Sequence, residues 1–235
     1  MGQTIQITAS DGHDLSAFVA APEGTRRGAL VMLQEFFGVN AHIRDMARQY
    51  AGDGYHVIAP AIFDRVERGV ELGYDEAGMN KGRQLRARLV MDQTMLDVQA
   101  AIDAVLAHGP VATLGYCWGG SLAYLAAARL QGVACAVGYY GAQIAAHATE
   151  TPRAPVLLHF AEHDEYIPLT DVEKIRLAQP ALTIYMYPGT EHGFSCNDRR
   201  FYEPVAAALA RERSLAFLVS HMAAGQVADT QDMQR

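Results

Sequence analysis

The chain has 235 residues, half of them hydrophobic, and a formal net charge of -7. A single domain of that length buries roughly 70–75% of the surface its unfolded chain exposes, so it needs neither metal nor disulfide to hold together. The negative charge argues against a nucleic-acid binder, which wants clustered Lys and Arg, and no apolar run approaches the ~20 residues of a membrane span.

The opening reads as a hairpin, with "TIQITAS" and "LSAFVAAP" flanking Asp11-Gly12, a pair that favours tight turns because both residues tolerate positive φ. Strands and helices then alternate. "ALVMLQE" is a buried strand, and "NAHIRDMARQYAGDGY" is a helix with Asn40 as N-cap and Gly52 or Gly54 at its stop. "HVIAPAIF" is the next strand. From Asp64 to about Val90 no periodicity dominates, although Lys81, Arg83, Arg86 and Arg88 gather there. "MDQTMLDVQAAIDAVLAHG" has helical periodicity. The rest reads as strand "VATLGYC", helix "GGSLAYLAAARLQG", strands "VACAVGYYG" and "APVLLHFAE", helix "LTDVEKIRLAQ", strand "LTIYMYPG" and a helix over about 203–221. Apolar strands between amphipathic helices imply an α/β fold, a mostly parallel central sheet of about eight strands with helices on both faces. Residues 1–222 are expected to form a single domain, and the polar segment 223–235 a flexible tail. The three cysteines, 117, 135 and 196, are too scattered for a disulfide framework. With no charged-then-apolar leader, the expected location is a reducing cytoplasm.

Gly115-Tyr116-Cys117-Trp118-Gly119 has the spacing of a nucleophile elbow, with sulfur where serine is usual. In such an elbow the chain turns sharply from strand to helix, and the side chain at the turn projects above the sheet. Glycines nearby remove Cβ atoms that would collide with the helix, a need that Gly115, Gly119 and Gly120 fit. The N–H of Trp118, at a helix start, is placed to stabilise a developing oxyanion. The bland alternative is that Cys117 fills space, as most free cysteines do. Cys135, among apolar neighbours in its strand, takes that bland reading.

A thiol with a pKa of about 8.5 needs a base, and the base needs an orienting carboxylate. The chain supplies both in the order nucleophile, acid, histidine. Asp164 follows strand "PVLLHFAE" and His192 follows strand "LTIYMYPG". Loops at strand C-termini meet above an open sheet, where ligands bind. Glu162 and Glu165 compete with Asp164 as solvated loop charges. His159 and His163 have an H-x-x-x-H spacing that could bind metal on a helix, but here it runs from strand into loop, so no metal site is expected.

Together "LQEFFGVN", "LGYCWGG", "HDEYIP" and "EHGFSCNDRRFYEPVAAALARERSLAF" resemble the dienelactone hydrolase family, the carboxymethylenebutenolidases of the α/β-hydrolase superfamily. The resemblance runs from the hairpin to about Leu218. It implies an α/β-hydrolase fold, with Cys117 as nucleophile, Asp164 as acid and His192 as base. It also implies that Glu35 interacts with the resting thiol and helps generate the thiolate, and that the N–H of Phe36 joins that of Trp118 in the oxyanion hole. The implied activity is hydrolysis of a dienelactone-type enol lactone, or another small ester, through a cysteine acyl-enzyme without a cofactor. Arginines grip the substrate's carboxylate tail in the enzymes it resembles. One would come from the region of Arg83 and Arg86. Cys196 stands about where the other is expected, with Arg199 and Arg200 further on. Phe37, Phe194 and Cys196 are expected at the pocket wall. Two rivals stay open: a small-ester hydrolase of broad specificity, and a non-catalytic or redox-sensing binder. The expected partner is the small substrate alone, with no nucleic acid or membrane, in a monomer or weak homo-oligomer.

Overall fold

The computed structural model describes residues 2–24 and 26–222. The expected flexible tail, 223–235, lies outside the described residues. The eight strands are β1 (Gly2–Thr8), β2 (Asp14–Ala20), β3 (Ala29–Leu33), β4 (His56–Pro60), β5 (Val111–Tyr116), β6 (Val133–Tyr139), β7 (Val156–Ala161) and β8 (Thr183–Tyr187). They form one sheet in the order β1-β2-β4-β3-β5-β6-β7-β8. The strands from β4 to β8 in that order are parallel, and β2 alone runs against its neighbours. Each of the eight strand segments read from the sequence is present, and the mixed, mostly parallel sheet is as expected.

The helices are α1 (Ala41–Gly52), α2 (Glu76–Ala87), α3 (Met91–Val105), α4 (Trp118–Arg129), α5 (Leu169–Ala178) and α6 (Pro204–Met222). The period of two along β5 sends its residues to opposite faces. On one face the Thr113 hydroxyl donates to the Ala123 carbonyl of α4 at 3.3 Å. On the other, the Tyr116 hydroxyl meets Met46 of α1, where Arg211 of α6 lies over the Tyr50 ring. Helices therefore cover both faces, and β3 and β5 are buried along their whole length. Asn40 caps α1 as expected, its side-chain oxygen accepting from the Ile43 N–H at 3.2 Å.

Two local expectations need correction. The hairpin turn spans residues 9–13 rather than Asp11-Gly12 alone. It is closed by the Ala9 N–H on the His13 carbonyl at 2.8 Å and the Gly12 N–H on the Ala9 carbonyl at 2.9 Å. The segment without periodicity holds α2, capped by the Asp75 carboxylate, which accepts from the Gly78 N–H at 2.7 Å. Gly82 conceals that helix in the sequence, because glycine disfavours helix interiors. Its reason is contact: a Cβ there would sit 2.2 Å from the Phe36 carbonyl oxygen.

The chain leaves β3 for β4 on one side and returns to β5 on the other. That reversal opens a crevice beyond the C-terminal ends of β3 and β5, where ligands bind in open α/β sheets. Residues 35, 36 and 117 follow those two strand ends.

Candidate active site

Cys117 follows β5 directly, with φ 54 and ψ -119, one of two non-glycine residues with positive φ among the described residues. Such a conformation costs on the order of 1–3 kcal/mol and persists only where surroundings over-determine it. Here the Cys117 N–H donates to the Tyr139 carbonyl at 2.9 Å, and α4 begins at the next residue. The helix can start there only because the backbones touch. A Cβ on Gly115 would lie 2.0 Å from the Gly119 carbonyl oxygen, and one on Gly119 would lie 2.1 Å from that of Leu33. As the first residue of α4, Trp118 has an N–H with no acceptor inside the helix. Its indole stacks on Phe36 at 6.3 Å and on Phe63 at 5.9 Å.

Asp164 and His192 stand in the loops after β7 and β8, and both are buried. His192 Nδ1 donates to Asp164 Oδ2 at 2.7 Å. The other carboxylate oxygen accepts from the Tyr166 N–H at 2.9 Å, so the acid cannot rotate away. The imidazole lies between the rings of Tyr140 and Tyr166, each 4.9 Å away. Burial opposes charge on His192, but the Cys117 sulfur and the Asp164 carboxylate beside it outweigh that and lift its pKa to about 10. Burial instead pushes the thiols of Cys135 and Cys196 up to about 12, which keeps them protonated and inert.

Two consequences can be measured. The His192 ring should titrate near pH 10 by NMR and at clearly lower pH in Cys117→Ala, where only Asp164 opposes burial. Because the folded pKa is raised above 6.5, the stabilisation from this pairing is complete below about pH 6.5 and is lost as pH climbs through about 10. A midpoint unmoved by the substitution would show that the sulfur does not hold the charge.

A pocket of about 330 Å³ opens over these residues, and its wall includes Cys117, His192, Phe36, Phe37, Trp118 and Arg83. Asp164 lies behind His192. The remaining expectations are displaced. Phe194 is buried behind the wall against Tyr140 and Tyr187. Cys196, fully buried, is not part of the wall either. Arg86 points to the side, its guanidinium 5.0 Å from the Trp118 ring and 3.1 Å from the Gln143 side-chain oxygen. Three residues apart on α2, Arg83 and Arg86 diverge, and only the first reaches the pocket.

Glu35 is almost completely buried, but no hydrogen bond joins it to Cys117 among the described residues, contrary to expectation. Its carboxylate accepts from the Tyr74 hydroxyl at 2.8 Å and faces Arg199 Nη1 at 3.5 Å. Arg199 is a charged lining residue that the motif reading did not assign. Successive turns (Cys196 N–H to Gly193, Arg199 N–H to Cys196) fold the loop so that Arg199, not residue 196, presents its side chain to the pocket. Its guanidinium lies 5.9 Å from the Phe37 ring. His159 is buried between the Tyr187 and Ser214 hydroxyls, at 2.8 and 2.9 Å, while His163 is exposed.

The site can be set beside known proteins. The family model described as the dienelactone hydrolase family matches residues 15–222. The carboxymethylenebutenolidase of Pseudomonas putida is 33% identical over 224 residues, covering 91% of this chain and 94% of that one. Carboxymethylenebutenolidase 1 of Cupriavidus pinatubonensis is 27% identical over 229 residues, covering 91% of this chain and 95% of that one. Among solved structures, a Klebsiella pneumoniae protein with a provisional dienelactone hydrolase name matches with a TM-score of 0.80 at 26% identity, covering 93% of this chain and 98% of that one. The Pyrococcus furiosus esterase PF2001 matches with a TM-score of 0.72 at 13% identity, covering 94% of this chain and 91% of that one, a likeness of fold alone.

Proposed function

The chain belongs to the dienelactone hydrolase family, and from that premise we propose that it hydrolyses a small lactone or ester through a thioester on Cys117. One observation carries the reading. A cysteine at a strained elbow shares its pocket with a histidine bonded to a buried carboxylate. A non-catalytic binder has no use for that alignment.

The thiolate sulfur attacks the carbonyl carbon, and the N–H groups of Trp118 and Phe36 hold the oxyanion. As the intermediate collapses, the ring C–O bond breaks and the His192 imidazolium protonates the departing oxygen. The resulting neutral imidazole takes a proton from water, whose oxygen attacks the thioester carbon. The C–S bond then breaks, which restores the thiolate beside the imidazolium and releases the ring-opened acid. Asp164 keeps Nδ1 protonated and the ring aligned throughout.

For the substrate, Arg83 carries weight because it lines the pocket with no carboxylate partner among the described residues. Its guanidinium bonds only the Tyr166 hydroxyl, at 3.3 Å. A lactone with a carboxylate tail suits that group, so a dienelactone-type enol lactone is the reading preferred. The rival, a hydrolase of neutral esters, is favoured by the apolar wall and by Glu35 facing the charge of Arg199. Metal-free protein given p-nitrophenyl acetate and a dienelactone separates them. Turnover of the dienelactone supports the first reading, turnover of the acetate alone supports the second, and turnover of neither rejects both. On the first reading Arg83→Met should raise KM for the dienelactone about 10–100-fold, the loss of one charge-assisted contact. KM for the acetate should change far less, and equal changes would remove Arg83 from substrate recognition.

A further inference from the structure

Helix α2 touches both halves of the proposed oxyanion hole. Gly82 lies against residue 36, where a Cβ would stand 2.2 Å from the Phe36 carbonyl oxygen and 3.1 Å from the Phe36 Cβ. Arg86, one turn on and on the same side of the helix, holds its guanidinium 5.0 Å from the Trp118 ring. The same guanidinium donates from Nη2 to the Gln143 side-chain oxygen at 3.1 Å, and the Gln143 N–H donates to Ser121 Oγ at 3.0 Å. Trp118 and Ser121 belong to the first turn of α4, so Arg86 grips that turn at two points.

A charge in that place is costly. Arg86 is half-buried, its Nε–H is sealed from solvent without an acceptor, and no carboxylate pairs with it among the described residues. Burial alone shifts its pKa, and shifts it down. Methionine would pack there without that cost, since apolar replacement of a buried charge is often neutral or stabilising. Arg86 is also outside the pocket wall, so it does not meet a substrate held there. What it meets is the Trp118 ring, whose own indole N–H is buried without a partner. Packing rather than a hydrogen bond therefore fixes that ring: Phe36 and Phe63 stack on it, and the guanidinium adds a cation–π contact.

Given the oxyanion hole proposed above, we infer that Arg86 is its positioning residue. Through the Trp118 ring and Gln143 it sets the first turn of α4 against residue 36, and so fixes the spacing between the Trp118 and Phe36 N–H groups. Such donors stabilise a tetrahedral intermediate only when they stand about 2.7–3.1 Å from where its oxygen will sit. A displacement of about 1 Å can cost about 10²-fold in rate. Arg86 thus acts on the transition state rather than on the bound ester.

A trifluoromethyl ketone tests this apart from turnover. Cys117 Sγ adds to its carbonyl carbon, the C=O π pair moves to the oxygen, and the oxyanion of the hemithioketal occupies the hole. Iodoacetamide alkylates the same sulfur with iodide leaving and no oxyanion formed. In Arg86→Met the ketone adduct should weaken at least about tenfold by fluorine NMR titration, and kcat on p-nitrophenyl acetate should fall in like measure with KM within about threefold. The alkylation rate and the urea midpoint should stay at parent values. Arg86→Lys keeps the charge without the flat guanidinium and should show the same loss in lesser degree. Adduct affinity equal to the parent's in either variant would overturn the inference, as would an alkylation rate or a midpoint that falls in step with it. A parent protein that forms no adduct would contradict the thioester reading itself, and this inference with it, before any variant is made.

Discussion

Cys117→Ala is expected to lower kcat by at least about 10³-fold, with an unfolding midpoint close to that of the parent protein. The side chain is the only group at the elbow that can form the acyl bond, and nothing else at that position replaces it. Removing one oxyanion donor costs about 10²–10³ in rate, so losing the nucleophile costs no less. Stability should fall only by the share of the His192 pairing that the sulfur supplies, because alanine keeps the same β-carbon position at φ 54 and gives up only a sulfur in the pocket wall. Steady-state kinetics on p-nitrophenyl acetate beside a urea melt checks both halves. A variant that turns over at the parent rate would leave Cys117 as a wall residue.

Gly119→Ala is expected to cost more than about 3 kcal/mol of stability, or to prevent accumulation of folded protein, and to abolish activity in whatever folds. The added Cβ would meet backbone rather than a movable side chain, at 2.1 Å from the Leu33 carbonyl oxygen and 2.7 Å from that of Gln34. Relief requires α4 to part from the end of β3. That separation would also pull the Trp118 N–H away from the Phe36 N–H, since the latter follows β3 by three residues. Stability and oxyanion binding should thus fall together. An unfolding midpoint equal to that of the parent would mean that the close approach is not required.

The elbow was legible in the sequence because its constraints are local. Glycines flanking one reactive residue, between an apolar strand and an alanine-rich helix, leave few other foldings of the segment. Asp164 and His192 were legible for a topological reason: parallel strands deliver the loops after β7 and β8 to the same rim of the sheet. What escaped depended on contacts between distant segments. α2 carries Gly82, which lowers helix propensity in order to let the Phe36 backbone approach, so the packing that needs the helix hides it. The resemblance placed a pocket residue at 196, but the consecutive turns after Gly193 bury that cysteine and bring Arg199 forward. Glu35 was singled out only by the resemblance, as a partner of the thiol, and its actual partners Tyr74 and Arg199 come from 39 and 164 residues away. No window of sequence contains them. Arg86 shares a side of α2 with Arg83, and what sets it apart is its hold on the Trp118 ring and the Gln143 side chain, contacts between distant segments.

The central claim is that a covalent bond forms at the crest of the sheet. Rapid acid quench of the protein during turnover of p-nitrophenyl acetate, followed by peptide mass spectrometry, tests it most directly. One acetyl group should appear on the peptide containing residue 117, on sulfur, and should vanish on treatment with hydroxylamine. Acetyl carried instead by the Ser121 hydroxyl, which also lines the pocket, would contradict the account, as would steady turnover with residue 117 unmodified and the product released without a burst.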